Sequence, residues 1–434
     1  MEFRAILLPA VLAAACACAQ TAAKPIEPNG PAKRPNAQVT YAALRADLPG
    51  AESVTVKDFK LEREGGVFHF DQGAFYFYAP VEGHVTGAVF AGKGSFELAP
   101  KEKSEQKSLA LLTKSSTMKQ DFSTVVLRFT DDTAQEIRKA ANGAESPANG
   151  HAKSAAEDLQ KTFRKTLRNN LDLRILGDMM SGRPGRFFLA SFRMGNLVNG
   201  QNLLFVVDPE GAVSAEPDEV ELATWDIDSI EPWVAYRMAD AGVAHGERAQ
   251  VTDENLDVTF ERSGMMRTSA ITTVKVRHDG VRVVRLNLYP TLRVSGVYAE
   301  SGAPLDFVQE NKEQDADFAV ILPEAAKAGD TIRLLTQYAG TDALLSEGND
   351  TYYLLSAARD SWYPSGQGQI GDFANFHMTF HVPKGLEVVA TGKQTSTTPE
   401  SGGNKVVWET PTPIQDCRCS MRLSRADIPP PRTG

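Results

Sequence analysis

Residues Asp360 to Lys393 read DSWYPSGQGQIGDFANFHMTFHVPKGLEVVATGK, and how they are read decides the fold. Phe376, Met378, Phe380 and Val382 alternate with His377, Thr379 and His381, the period-two pattern of a strand with one buried face. Pro383-Lys384-Gly385 turns the chain, and Leu386, Val388 and Ala390 alternate again before Gly392. Ahead of this strand pair stand an aromatic-proline corner, Trp362-Tyr363-Pro364, and a glycine-rich loop, Gly366 to Gly371. His377 and His381 are four apart, like the two zinc ligands of H-E-x-x-H, which a helix brings to one face. Met378 stands where that motif needs its base, and four residues of strand span roughly 13 Å, too far to share one ion. The pair therefore reads as two outward-facing histidines on an exposed strand face. The loop fits most of G-x-G-x-x-G but follows a Tyr-Pro corner instead of opening a helix, which argues against a nucleotide role.

The same alternation runs backwards from this stretch. Residues 253–340 read as successive strands, with hairpin turns at His278-Asp279-Gly280, Glu300-Ser301-Gly302 and Ala328-Gly329-Asp330. Before them, residues 214–252 read as an acidic connector. Glu216, Asp218, Glu219, Glu221, Asp226, Asp228, Glu231 and Asp240 are mixed there with Trp225 and Trp233. A glycosidase would use two such carboxylates flanking a bond and an aromatic platform, but sequence spacing alone does not set the carboxylate separation. An acidic linker pinned by tryptophans is the simpler reading.

Residues 41–213 read as a β-rich domain with a helical insertion at about 132–175. Tyr41 to Leu48 is a plausible short helix. From Val54 to Pro100, four strand-like runs are separated by Gly-Gly, Asp-Gln-Gly, Val-Glu-Gly and Gly-Lys-Gly, as in an antiparallel meander. Ser123 to Thr130 adds a strand, and Arg186 to Arg193 and Asn202 to Asp208 follow the helices. In the insertion, Leu159, Phe163, Leu167 and Leu171 recur every four residues, and Glu157 is placed to pair with Lys161. The fold class expected is mainly β: two antiparallel β domains of sandwich or saddle type, with a helical excursion in the first.

The ends read differently. Arg4, the apolar run Ala5 to Ala15 and Ala17-Cys18-Ala19 form a secretory signal peptide over 1–19, too short to span a bilayer. A lipoprotein signal, with Cys16 or Cys18 acylated, is the rival. Either makes the protein extracytoplasmic, periplasmic or secreted, and possibly lipid-anchored. Residues 20–40, rich in proline and alanine, read as a flexible leader, and 415–434 as a disordered tail. Cys417 and Cys419 form a lone C-x-C, a weak metal signal without further ligands, and read as two thiols in that tail. A net charge of −9 argues against the clustered basic face that nucleic-acid binders need, so no nucleic-acid partner is expected. No later stretch is long and apolar enough for a transmembrane span.

The second half resembles the N-terminal β domain of the aminopeptidase N family of zinc exopeptidases. The resemblance runs from about Asp253 to Ile414. It is carried by Gly329, Ile332, Leu334, Tyr338 and Gly340, by Ala358-Arg359 and Trp362-Tyr363-Pro364, by Ala374, Phe376, Met378, Phe380 and Pro383, and by Trp408-Glu409-Thr410-Pro411. Residues 68–90 and 126–132 also look like a leader that precedes this β domain in some secreted bacterial members. The family implies a zinc-dependent removal of N-terminal residues from peptides, carried out by a further, catalytic domain.

The family's chemistry does not transfer to this sequence residue by residue. H-E-x-x-H is absent, as is the glycine-x-methionine-glutamate-asparagine loop that holds the substrate amine. Ser365 stands where a cysteine usually follows the aromatic corner, and Leu354, Leu355 and Ser356 offer no counterpart of the substrate-facing glutamine. No catalytic residue and no metal ligand is expected, and zinc would belong to the missing catalytic domain. The expectation is a truncated, inactive portion of such an enzyme whose partners are a peptide substrate or that domain. The alternative is a secreted β-sandwich protein that binds peptide or glycan through aromatics such as Tyr76, Tyr78, Trp362 and Tyr363.

Overall fold

A computed structural model describes residues 24–32, 36–143, 150–165, 170–181, 185–193, 202–211, 216–225, 230–241, 248–311, 317–348, 351–354, 356–357, 360–366, 373–415, 417 and 419–423. The first half is one eight-stranded antiparallel meander. In chain order its strands are β1 (Pro49–Arg63), β2 (Gly66–Tyr78), β3 (Gly87–Leu98), β4 (Met118–Phe129), β5 (Phe188–Arg193), β6 (Asn202–Asp208), β7 (Glu219–Trp225) and β8 (Ile230–Arg237), each paired with the next.

This sheet curls. Three strands separate β2 from β6, so a flat sheet at about 4.8 Å per strand would hold them about 19 Å apart. Yet the rings of Phe68 on β2 and Phe205 on β6 lie 5.9 Å apart, and Phe68 also meets Phe188 at 5.8 Å. Phenylalanines from five strands thus fill one concave face, each stabilising the fold by about 1.5–3 kcal/mol relative to exposure. The rolled edges approach without pairing: the Tyr236 hydroxyl of β8 donates to Glu64 O in the β1–β2 turn at 2.7 Å.

Five helices flank the sheet: α1 (Asn36–Ala46), α2 (Lys103–Thr113), α3 (Thr133–Ala140), α4 (Gly150–Lys165) and α5 (Leu171–Ser181). Leu109 of α2 and Ala134 and Ile137 of α3 join the phenylalanine cluster. Tyr41 and Leu44 of α1, Ala152, Ala156 and Leu159 of α4, and most of α5 cover the other face. Arg174 pins α5 down: fully buried, it donates to Asp208 at 2.8 Å and Asp178 at 2.5 Å and lies over the Phe187 ring. Burial opposes its charge, but Asp178, Asp208 and Glu210 outweigh that and raise its pKa.

The second half stacks several sheets. β9 (Ala249–Phe260), β10 (Met266–Val276), β11 (Val281–Asn287), β12 (Arg293–Ala299), β13 (Asp306–Gln309), β14 (Asp317–Ala326) and β15 (Thr331–Gly340) come first. They are followed by β16 (Leu344–Gly348), β17 (Thr351–Leu354), β18 (Ser356–Ala357), β19 (Asp360–Ser361), β20 (Asn375–Pro383), β21 (Leu386–Ala390), β22 (Lys393–Glu400), β23 (Gly403–Glu409) and β24 (Cys419–Leu423). The main sheet has the order β12-β15-β10-β9-β20-β23-β22, with β9 and β20 parallel and its other pairs antiparallel. Smaller sheets are β11-β14-β13, β16-β17-β24-β21 and the pair β18-β19. Val308, Ala319 and Ile321 of the three-stranded sheet pack into the same hydrophobic cluster as α1, α4 and α5, so the two halves share a core.

The mainly β fold class holds, and several finer readings change. The acidic connector is β7, β8 and the start of β9: Val220 and Leu222 face the phenylalanine core while Ala223 and Trp225 face the helices. The two internal glycine tripeptides of the first meander are bulges, not turns, with register shifts at Phe70/Gln72 and Ala91/Gly94. A Cβ on Gly73 would sit 2.5 Å from Ala91 O, so glycine serves close backbone approach there. The leader is partly structured: Ile26 packs on Ile271, Tyr298 and Leu335, and α1 begins at Asn36. Lys161 pairs with Asp158 at 3.9 Å, in preference to Glu157. The tail is also corrected, because Cys417 and Cys419 are buried and β24 lies between β17 and β21. The signal peptide, with Cys16 and Cys18, lies outside the described residues.

Candidate functional site

The opening stretch folds into the centre of the second half. Trp362 is fully buried, edge-on to Tyr363 at 5.2 Å, and Tyr363 is edge-on to Phe376 of β20 at 5.1 Å. Their polar atoms are spent internally. Trp362 Nε1 donates to Cys417 O at 3.0 Å, the Tyr338 hydroxyl of β15 donates to Trp362 O at 3.0 Å, and Cys417 N donates to the Tyr363 hydroxyl at 3.2 Å. Ser365 exchanges two backbone hydrogen bonds with Asn287, which fixes the end of the corner against β11. Residues 367–372, most of the glycine-rich loop, and Ala358-Arg359 lie outside the described residues.

This geometry removes the aromatic contact surface of the binding-protein reading. Tyr76, Tyr78, Trp362 and Tyr363 are all buried. Tyr78 lies under the Arg128 guanidinium, 4.8 Å from its ring centre, and burial pushes its hydroxyl up to about 12. Trp225 is buried and donates to Ser191 Oγ, while Trp233 donates to Thr224 Oγ1. Asp226 and Asp228 lie outside the described residues.

The histidines face the other side of the main sheet, and one of them is not exposed. His377 is 6% exposed, because β20 is an interior strand covered on both flanks by β9 and β23. Its Nε2 is 4.0 Å from Asp253 and its Nδ1 3.8 Å from Glu409. His381 is half-buried, with Nδ1 2.7 Å from Glu400 and Nε2 3.3 Å from Asp257. Each imidazole is thus held between its own two carboxylates, one from β9 and one from the β22–β23 hairpin. Desolvation raises the Asp253 pKa, with His377 and Arg333 pulling the other way. The row brings no nucleophile to either ring among the described residues.

Zinc does not fit these residues. The histidines sit four apart on a strand and are engaged separately, and no cluster of three or more candidate ligands occurs among the described residues. Cys417 and Cys419 do not supply one either: both are buried, and burial together with Cys417 raises the Cys419 thiol pKa, away from the thiolate a metal requires. The Cys417 sulfur instead rests 3.1 Å from the Met378 sulfur.

Sequence reading missed the buried charges. Arg128 on β4 is fully buried, donates to Thr86 O at 3.2 Å and faces Asp172 at 3.5 Å. Arg45 of α1 and Asn170 both reach the Glu310 carboxylate, tying the first half to the second. The available signal was a lone arginine inside an apolar run, in VVLRF and LDLRIL, since an unpaired charge is almost never buried.

No family model matches the sequence, and no curated protein does. Similar solved structures include the M1 zinc metallopeptidase from Deinococcus radiodurans, 23% identical over 40% of this chain and 42% of that one, with a TM-score of 0.36. The same figures hold for a mutant of that enzyme bound to a Tyr-Ser-Ala substrate. A two-domain M1 zinc metallopeptidase mutant bound to L-tryptophan has the same identity and coverage, with a TM-score of 0.35. The chain therefore spans less than half the length of these structures. Among the described residues, no helix is long and apolar enough to cross a membrane.

Proposed function

We propose that this chain is the non-catalytic β portion of an aminopeptidase N-like zinc metallopeptidase, inactive by itself, whose zinc and catalytic base belong to a separate catalytic domain. The observation that supports this reading is the meeting of three resembling segments in one core. Tyr338 from the Gly329–Gly340 segment donates to Trp362 of the aromatic corner, and Tyr363 of that corner packs on Phe376 of the Ala374–Pro383 segment. Segments that resemble one family in sequence order are here also mutual neighbours, as parts of one inherited domain are. The sequence itself lacks H-E-x-x-H. In this reading the β portion shapes one wall of a peptide cleft, and residues 1–19 are removed on export.

Hydrolysis of aminoacyl anilides by the purified chain with added zinc is the direct test. No turnover is expected. Turnover abolished by a chelator would falsify the assignment of the chemistry to another domain. Saturable peptide binding without turnover and without any effect of an added catalytic domain would favour a separate binding protein.

A further inference from the structure

A cavity of about 80 Å³ lies where the two halves meet, walled by α5, the β6–β7 turn, the residue ahead of β9, and β11. Its lining carries three arginines, Arg248, Arg282 and Arg285, against one carboxylate, Glu210. At about 30 Å³ per water molecule the space holds two or three waters, the size of one small ion. We propose that this cavity is a binding site for a small tetrahedral oxyanion of the phosphate or sulfate class, which bridges the two halves.

The argument rests on how the arginines are engaged. The Arg282 guanidinium donates to three backbone carbonyls, Met180 O at 2.7 Å, Leu322 O at 3.2 Å and Pro323 O at 3.4 Å, and to no carboxylate among the described residues. Carbonyls orient the group without neutralising it, and a guanidinium has five N–H donors, so two still point elsewhere. Arg248 donates to Asp279 O at 2.8 Å, while its Nε is buried without a hydrogen-bond partner. Glu210 approaches that nitrogen only to 3.7 Å, beyond hydrogen-bond distance, and its other oxygen is 3.9 Å from Arg174. Glu210 thus stands opposite Arg248, and the Arg282 guanidinium, bonded to carbonyls alone among the described residues, leaves positive charge that suits an oxyanion. Planar, fixed guanidinium forks are suited to oxyanions.

The rest of the lining keeps the space open. Gly177, Gly211 and Gly280 contribute no side chains, and Gly211 and Gly280 have left-handed φ of 67° and 88°. A Cβ on Gly177 would be 3.8 Å from Glu210 Oε2 and 3.9 Å from Val283, at ordinary contact distance and beside the cavity. Gly177→Ala therefore narrows the site while every arginine stays.

The test is calorimetric titration of the full chain with inorganic phosphate at pH 7.5, in sodium chloride of fixed ionic strength. One saturable site is expected, with a matching rise in unfolding temperature as the ion accumulates on the folded state. Arg282→Gln and Arg248→Gln should each weaken binding about tenfold or more, the loss expected for charged hydrogen bonds. Gly177→Ala should weaken it several-fold without removing a charge, and it remains informative if an arginine variant fails to fold. Absence of saturable binding, or equal affinity in wild type, Arg248→Gln and Gly177→Ala, overturns the proposal. A temperature rise that persists unchanged in the variants is the general exclusion effect of phosphate on protein surfaces and also overturns it.

Discussion

Glu254 points from β9 into the core, where the Thr272 hydroxyl, at 3.1 Å, is its hydrogen-bond partner and one carboxyl oxygen has none. Burial pushes its pKa well above the usual carboxylate value, so the neutral acid is the form the fold accommodates. A folded pKa above the unfolded one gives stability that is full below the unfolded value and is lost as pH rises through the folded one. Between the two, wild-type unfolding free energy should fall by about 1.4 kcal/mol per pH unit. Glu254→Gln, which mimics the neutral acid, should remove that slope, as urea unfolding from pH 4 to 9 would reveal; an identical slope in the variant refutes the role. Asp47, raised by burial to about 6, adds a smaller decline of the same sign between pH 4 and 6. Arg174 poses the opposite case. Arg174→Met should cost about 3–5 kcal/mol, because it leaves Asp178 and Asp208 buried without their cation. Glu254 did not declare itself in the sequence, and Arg174 did so only as a lone charge in an apolar run: polarity was visible, but burial depends on what the rest of the chain lays over it.

Strands were legible where alternation was clean, and boundaries were lost where another signal overrode it. β20 and β21 were readable from Phe376, Met378, Phe380 and Val382 and from Leu386, Val388 and Ala390, since one face of each meets the core. β7 alternates as well, but eight carboxylates across residues 214–245 made charge the louder feature. Glycines misled in a different way, because a bulge and a turn both call for a residue without a Cβ. Gly73→Val should therefore destabilise by about 1–3 kcal/mol through overpacking on Phe90 and Ala91, whereas a true turn glycine with open space, Gly329, should respond only through its φ of 95°. Comparing thermal unfolding of the two variants separates those causes. The C-terminal strand makes a second prediction. Ending the chain at Ile414 should remove the Trp362 hydrogen bond to Cys417 O, leave β21 without its partner and β17 paired only with β16, with loss of near-ultraviolet circular dichroism from Trp362. Retention of the full signal would show that the corner stands without β24.

At the scale of the molecule, the decisive feature is the core shared by α1, α4 and α5 with Val308, Ala319 and Ile321. Sequence reading placed two domains with an acidic linker between them, and nothing local in residues 306–321 announces that three of its side chains complete the other half. Glu310, gripped by Arg45 and Asn170, reinforces the junction. One cooperative transition is therefore expected. The tryptophans divide evenly, with Trp225 and Trp233 in the first half and Trp362 and Trp408 in the second, so Trp→Phe pairs can report each half alone. Coincident urea midpoints are the predicted result; midpoints separated by more than experimental error would mean that the halves unfold independently.

The position of β24 has a consequence for how the protein comes into being. A strand that follows both its neighbours in sequence sits between them in the sheet, and Cys417 just ahead of it supplies the carbonyl that satisfies the buried indole of Trp362. Until β24 has been made, β17 and β21 have no neighbour on that side and Trp362 lacks its acceptor. The second half can collapse during synthesis but cannot lock. Closure of this sheet therefore waits for β24, the strand that slides in between two partners already made.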